Sequence, residues 1–319
     1  MISIPKIIVL NAISEHSKQI ESQTKKLREN LLRLFFEESV TEKWMIQYIV
    51  KMLDHSSELI TCDHNRLKEL KDEFDKVIKA EEVGKSKVFK DALLNRMRYT
   101  YLRSTFYPKY FSKIGIKSCV YCNAHLTITV EKQTDNELLA KYQVDHYWPK
   151  STYPCFSTSL FNLYPACSSC NHIKNDDFVQ FELYTDNTEY LPLEFNFELE
   201  DGCWIKYLEK FDRDEIKIRF LEPTLPAINP MGLKSIDEVF AITQIYQTQT
   251  EIVEELILKS QKYTEVYKQD LIKIYPELFT TSSLANRVLI SNYSDIQDIH
   301  KRPMAKFTQD IARQLGLIT

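Results

Sequence analysis

Two cysteine pairs stand at metal-ligand spacing in the middle of this chain: Cys119-Val-Tyr-Cys122 and, about 45 residues on, Cys167-Ser-Ser-Cys170. Paired turns of this kind present four sulfurs tetrahedrally to zinc, and a closed set of four leaves no position for substrate. The expected role of Zn²⁺ is therefore structural, with its binding energy acting as folding energy. His125 and His172 are the substitutes if one cysteine is not a ligand. Between and just after the pairs lie Val144-Asp145-His146-Tyr-Trp-Pro149, Asn162 and Asn171-His172-Ile-Lys174, so a fold-supporting site and a reaction site share one segment. The Asp-His dipeptide alone carries no weight. It occurs also at Asp54-His55 and Asp63-His64, which read as surface residues of a helical region, and only the third copy sits in a constellation.

That constellation, Asp145-His146-x-x-Pro149, then Asn162-Leu, then Cys167-x-x-Cys170-Asn171-x-x-Lys174, resembles the HNH endonucleases, whose ββα-metal site is often held by two cysteine pairs in a treble-clef-like zinc finger. The resemblance covers residues 119–177. It implies that His146 is the general base that takes a proton from water, and that Asn162 orients the loop and the imidazole. It also implies that Asp145 and Asn171 hold one catalytic divalent cation, Mg²⁺ or Mn²⁺. His172 is the alternative ligand, but neighbouring side chains on a helix diverge by about 100°, so one of the two faces the ion, and Asn171 is favoured. The chain departs from many members in having Lys150-Ser-Thr-Tyr-Pro154 where a glycine pair is common. Its layout is also similar to the HNH effectors of bacterial anti-phage defence, including Septu-type and retron-associated nucleases, which implies a partner ATPase. DNA is the implied substrate, with an RNA-cleaving nuclease and a zinc-stapled binding or scaffold module without cleavage as the competing readings.

The elements that must position these groups divide into three stretches: a helical lobe over 1–118, the zinc module over 119–177, and a lobe of short strands followed by long helices over 178–319. The fold class expected is mainly α with a small α+β core. In the first lobe Leu27, Leu31, Leu34 and Phe35, then Trp44, Tyr48 and Met52, recur at helical spacing, and a break is expected near Glu82-Val-Gly84. Residues 85–117 set nine Lys/Arg against the single acid Asp91, interleaved with seven Phe and Tyr. That mixture suits either a phosphate-tracking surface with stacking aromatics or a solvated helix face over core aromatics. Arg96, Arg98, Arg103, Lys109, Lys150 and Lys174 are the candidate nucleic-acid contacts.

Beyond the module, Leu193–Phe197 and Ile216–Phe220 alternate like strands, and Pro223, Pro226 and Pro230 mark a connection. Ser235-Ile-Asp-Glu238 has the form of a capping box ahead of one long helix through Tyr275, whose apolar stripe over 239–274 is a core face or the partner surface.

Composition narrows the class. The 319 residues are 44% hydrophobic, with 5 glycines and 11 prolines, which suits a globular chain and excludes a disordered one. Seven cysteines, four of them paired at metal spacing, favour a reduced metal-binding use over a disulfide framework. No apolar run is long enough to span a bilayer and the first ten residues lack signal-peptide character, so a cytoplasmic protein is expected. The net charge of −4 conceals an asymmetry: residues 1–118 carry 22 basic against 16 acidic side chains, and residues 178–319 carry 15 against 23. A locally basic face governs phosphate binding more than the total, because charge reaches only about 10 Å at moderate salt.

Overall fold

The computed structural model describes residues 2–132, 138–187, 195–229 and 231–318. The described chain is mainly helical, with four small two-stranded sheets. Helical periodicity in the first lobe is realised as expected: Ser17–Leu34 buries Leu27, Leu31 and Leu34, and Lys43–Asp54 buries Tyr48 and Met52. The two other Asp-His pairs have local roles. Asp63 caps helix His64–Asp75 by accepting from the Arg66 amide at 3.0 Å, and His55 joins Glu58 and Glu73 in an ion-pair network.

The break expected at Glu82–Gly84 falls instead at Ser86, between helices Ala80–Lys85 and Lys87–Arg96. Gly84 is helical, and a Cβ there would lie 3.2 Å from the Ser151 carbonyl oxygen. It is a point of close approach to the loop after Pro149, not a chain breaker.

Residues 85–117 resolve the choice between stacking surface and core. Phe89, Tyr99, Phe106, Tyr107, Tyr110 and Phe111 are buried, because five sit on the inward stripes of short helices and Phe106 fills the junction between two of them. Of the seven aromatics only Tyr101 remains exposed, with the Arg98 guanidinium 4.1 Å above its ring. Of the two readings, the aromatics follow the core face.

The later lobe also departs from expectation. The single helix expected through Tyr275 is four: Ile236–Phe240, Ile242–Gln247, Thr250–Ser260 and Glu265–Ile274. Ser235 does cap the first, accepting from the Glu238 amide at 3.0 Å. That helix ends at Ala241, which adopts a left-handed conformation while the Asp237 carboxylate takes the Thr243 amide at 2.7 Å. Thr264 caps the last. Val239, Ile242, Tyr246, Val253 and Leu256 pack into or against the core, whereas Tyr267 and Ile274 are exposed. The alternating runs form an antiparallel pair, Asn196–Leu199 with Ile218–Leu221. Leu193, Glu194 and Pro230 lie outside the described residues.

One continuous apolar cluster runs from Ile4 to Ile318. Strand Ile4–Pro5 pairs in parallel with Tyr184–Thr185, and helix Ala305–Gln314 packs on Asn196–Leu199 through Phe197 and Phe307. Among the described residues no helix is long and apolar enough to cross a membrane.

Candidate metal centre and catalytic pocket

The segment 119–177 builds its centre from a hairpin and one helix. Strand Gln143–His146 pairs antiparallel with Leu163–Ala166, placing Asp145 opposite Tyr164 and His146 opposite Leu163. The intervening loop turns at Pro149, whose carbonyl accepts from the amides of Thr152 and Tyr153 at 3.1 and 2.7 Å. Helix Ser168–Lys174 follows directly, with Cys167 at its N-cap. The order is strand, strand, helix.

Cys119, Cys122, Cys167 and Cys170 are buried, and their sulfurs all lie within 4.8 Å of one another. Sulfurs bound to one zinc at about 2.3 Å would stand roughly 3.8 Å apart, so the set fits one such ion after small adjustment. Backbone amides already point at the sulfurs, from Cys167 to Cys119 Sγ at 3.3 Å and from Ala124 to Cys122 Sγ at 3.4 Å. Without an ion the four thiols share their protons unevenly: hydrogen bonding with Cys119 pushes Cys122 and Cys167 down and Cys170 up, while burial pushes Cys119 itself up. A bound metal would require all four as thiolates. His125 lies outside the four-sulfur set, 3.6 Å from Cys122 Sγ through Nδ1.

A cavity of about 170 Å³ opens beside the hairpin, and Asp145, His146, Asn171, Lys150 and Arg103 all line it. The structure thus brings together five of the residues expected at the site. Asp145 is buried and doubly held: the Tyr121 hydroxyl donates to Oδ2 at 2.5 Å, and the Lys174 ammonium lies 3.0 Å from the same oxygen. Asn171 donates through Nδ2 to Gln143 Oε1 at 2.6 Å, which leaves its carbonyl oxygen as an acceptor. His172 is exposed and does not line the cavity, so of the two adjacent candidates Asn171 is the one placed to act.

His146 is 4% exposed, and its Nε2 lies 3.1 Å from the Ser157 carbonyl oxygen. A carbonyl only accepts, so Nε2 carries the proton and Nδ1 keeps its lone pair. Burial, assisted by the Lys150 charge, pushes the imidazole down to about 3, so the ring is neutral at physiological pH. The Tyr99 ring packs 5.0 Å from it, centroid to centroid.

Asn162 holds the loop, as expected, but not the imidazole. Its side chain accepts from the Trp148 amide at 2.7 Å and donates to the carbonyls of Trp148 and Phe156 at 3.1 and 3.0 Å. It therefore pins the two ends of the loop 148–162 together, while the ring of His146 is oriented by Ser157 and Tyr99. Lys174 is fully buried and also donates to the His146 carbonyl at 3.1 Å, so it is an internal tether and no contact for a solvent-borne nucleic acid. Arg96 is engaged by Glu37, Arg98 by Gln23 at 3.0 Å, and Lys109 is exposed away from the cavity. Lys150 extends over the Tyr99 ring at 4.6 Å, and burial, with Arg103 next, lowers its basicity.

Sequence reasoning missed Tyr121, Ser157, Tyr99, Gln143, Asn175 and Asp176. Tyr121 stands between the first two cysteines, a position that a reader of metal motifs treats as spacer. Among the described residues no second group of three or more His, Cys, Asp or Glu donors could hold a metal. A cation in the cavity would rest on Asp145, the Asn171 amide oxygen, waters and substrate, a donor set of the hard oxygen type that suits Mg²⁺. Comparison with protein-family models, with curated proteins and with solved structures yields no match.

Proposed function

We propose that this chain is a metal-dependent HNH-type endonuclease that hydrolyses phosphodiester bonds of DNA. The observation that carries this reading is the convergence of a buried neutral imidazole, a tethered carboxylate, an amide oxygen and two cations on one cavity, mounted on a strand-strand-helix unit beside four zinc-competent sulfurs. His146, with Nε2 fixed on Ser157, takes the proton of an attacking water at Nδ1. Arg103 and Lys150 neutralise the scissile phosphate and hold it against the attack. Tyr121 and Lys174 hold Asp145 in place. A divalent cation on Asp145 and Asn171 would supply stabilisation of the charge that builds on phosphorus and the leaving oxygen. The four cysteines, with zinc, fix the helix carrying Asn171 to the knuckle carrying Tyr121.

Plasmid nicking with Mg²⁺ tests this: the parent chain should convert supercoiled to open-circular DNA, and His146→Ala should lower the rate at least about a hundredfold. Undiminished cleavage by the variant would remove His146 as base. Binding without cleavage by the parent would favour the scaffold reading instead, and cleavage of RNA alone would change the substrate but not the site. A role in anti-phage defence beside a partner ATPase rests on the resemblance of layout, and co-purification with such an ATPase is its test.

A further inference from the structure

The cavity holds few groups that would attract a cation by themselves. Asp145 is the one carboxylate offered by the hairpin, and its Oδ2 is already shared by the Tyr121 hydroxyl and the Lys174 ammonium. Asn171 is neutral. Arg103 and Lys150 add two positive charges to the lining, and Asp176 adds one negative charge from an exposed position. Counting Lys174 with them, three cations face two carboxylates. A fully buried ammonium 3.0 Å from its partner is screened little by solvent, so to a divalent ion the pair Asp145–Lys174 offers almost no net charge.

An incoming phosphodiester meets the opposite situation. The cation excess attracts it, and its non-bridging oxygens bring the charge and donor atoms that a hard ion lacks here.

Resting on the nuclease reading, we propose that Lys174 is the built-in countercharge of Asp145, and that the site therefore takes up its divalent cation together with the phosphate of the nucleic acid and not before it. Lys174 is a positioning residue: it touches Asp145 and the His146 carbonyl and leaves the reacting atoms to others. In the free protein the ammonium satisfies the carboxylate; with a phosphate present, Asp145 and Asn171 are the residues that would hold the cation. A nuclease so arranged stays unloaded until its substrate arrives.

The test is Mn²⁺ binding, followed by loss of the free-ion paramagnetic resonance signal, in the zinc-loaded full chain carrying His146→Ala to prevent turnover. A short DNA duplex is present or absent. Mn²⁺ should bind at least about tenfold more tightly with the duplex than without it, a coupling of ordinary allosteric size. Lys174→Met in the same background should tighten binding in the absence of duplex by a similar factor and shrink the difference. Equal affinity with and without duplex would overturn this proposal while leaving the nuclease reading standing, and this comparison does not depend on Lys174→Met folding. No Mn²⁺ binding in either condition would overturn the nuclease reading and the proposal with it. A folded, zinc-containing Lys174→Met chain whose duplex-free affinity is unchanged would remove Lys174 as the cause.

Discussion

Asp145 is fixed by two residues of opposite legibility. Lys174 was visible in the motif, but a lysine two residues beyond an exposed histidine reads as a surface cation, and only the fold shows it with no solvent exposure and a carboxylate partner. Tyr121 was hidden as a spacer. Removing one partner of a buried charged hydrogen bond leaves the other desolvated. Tyr121→Phe is accordingly expected to lower unfolding free energy by about 2 kcal/mol, and Lys174→Met by more, about 3–5 kcal/mol, both measured by urea denaturation at pH 7.5. A loss of less than about 0.5 kcal/mol for Tyr121→Phe would show that the phenol is a bystander. Asn162 gives a contrasting case. Its position in the motif was legible and its partners were not, because amide hydrogen bonds to Trp148 and Phe156 depend on how the loop 148–162 closes.

At the level of elements, the legible features were those set by local spacing. Cysteine pairs two residues apart must form knuckles, and Leu27, Leu31 and Leu34 must share a helix face. The four-way division of 236–274 was not legible, because apolar periodicity continues through it while side-chain caps such as Asp237 on Thr243 interrupt the backbone. Two outcomes belong here. Cys119→Ser or stripping of zinc by a strong chelator should loosen the hairpin and the helix Ser168–Lys174 together. Limited proteolysis should then cut within 119–177 first, and zinc restored to the stripped chain should return protection. Gly84→Ala places a methyl 3.2 Å from the Ser151 carbonyl, so the loop bearing Lys150 must shift. On the nuclease reading, the expected result is a raised KM for nucleic acid with stability lowered by only about 1 kcal/mol, whereas an unchanged KM would show that the loop yields without moving Lys150.

For the whole molecule, one buried histidine ties distant ends together. His300 Nε2 donates to the Ile2 carbonyl at 2.8 Å, and its own carbonyl accepts from the amides of Lys117 and Ser118. Burial pushes the imidazole down from 6.5 to about 4. Because the folded value is the depressed one, the unfolded chain binds the extra proton between those two values. Stability is full above pH 6.5 and is lost as pH falls toward 4, by about 3 kcal/mol from this group. Unfolding free energies measured from pH 7.5 to 5 should decline, with the buried His146 contributing in the same sense, and His300→Gln should make that decline shallower without abolishing it; a slope identical in both chains would clear His300 of the effect.

The same region bears on how the molecule is made. Asn123, one residue past the first cysteine pair, donates to the Ile299 carbonyl, accepts from the Lys306 amide through its side chain, and receives the Met304 amide on its backbone. These partners are added some 180 residues later, which at ribosomal speeds of ~5–20 residues per second is on the order of ten seconds or more. The first cysteine knuckle thus emerges long before the residues that brace it, and until they arrive the turn that carries Tyr121 to Asp145 lacks its support from helix Ala305–Gln314. On the nuclease reading, the site is among the last parts of the molecule to take its final geometry.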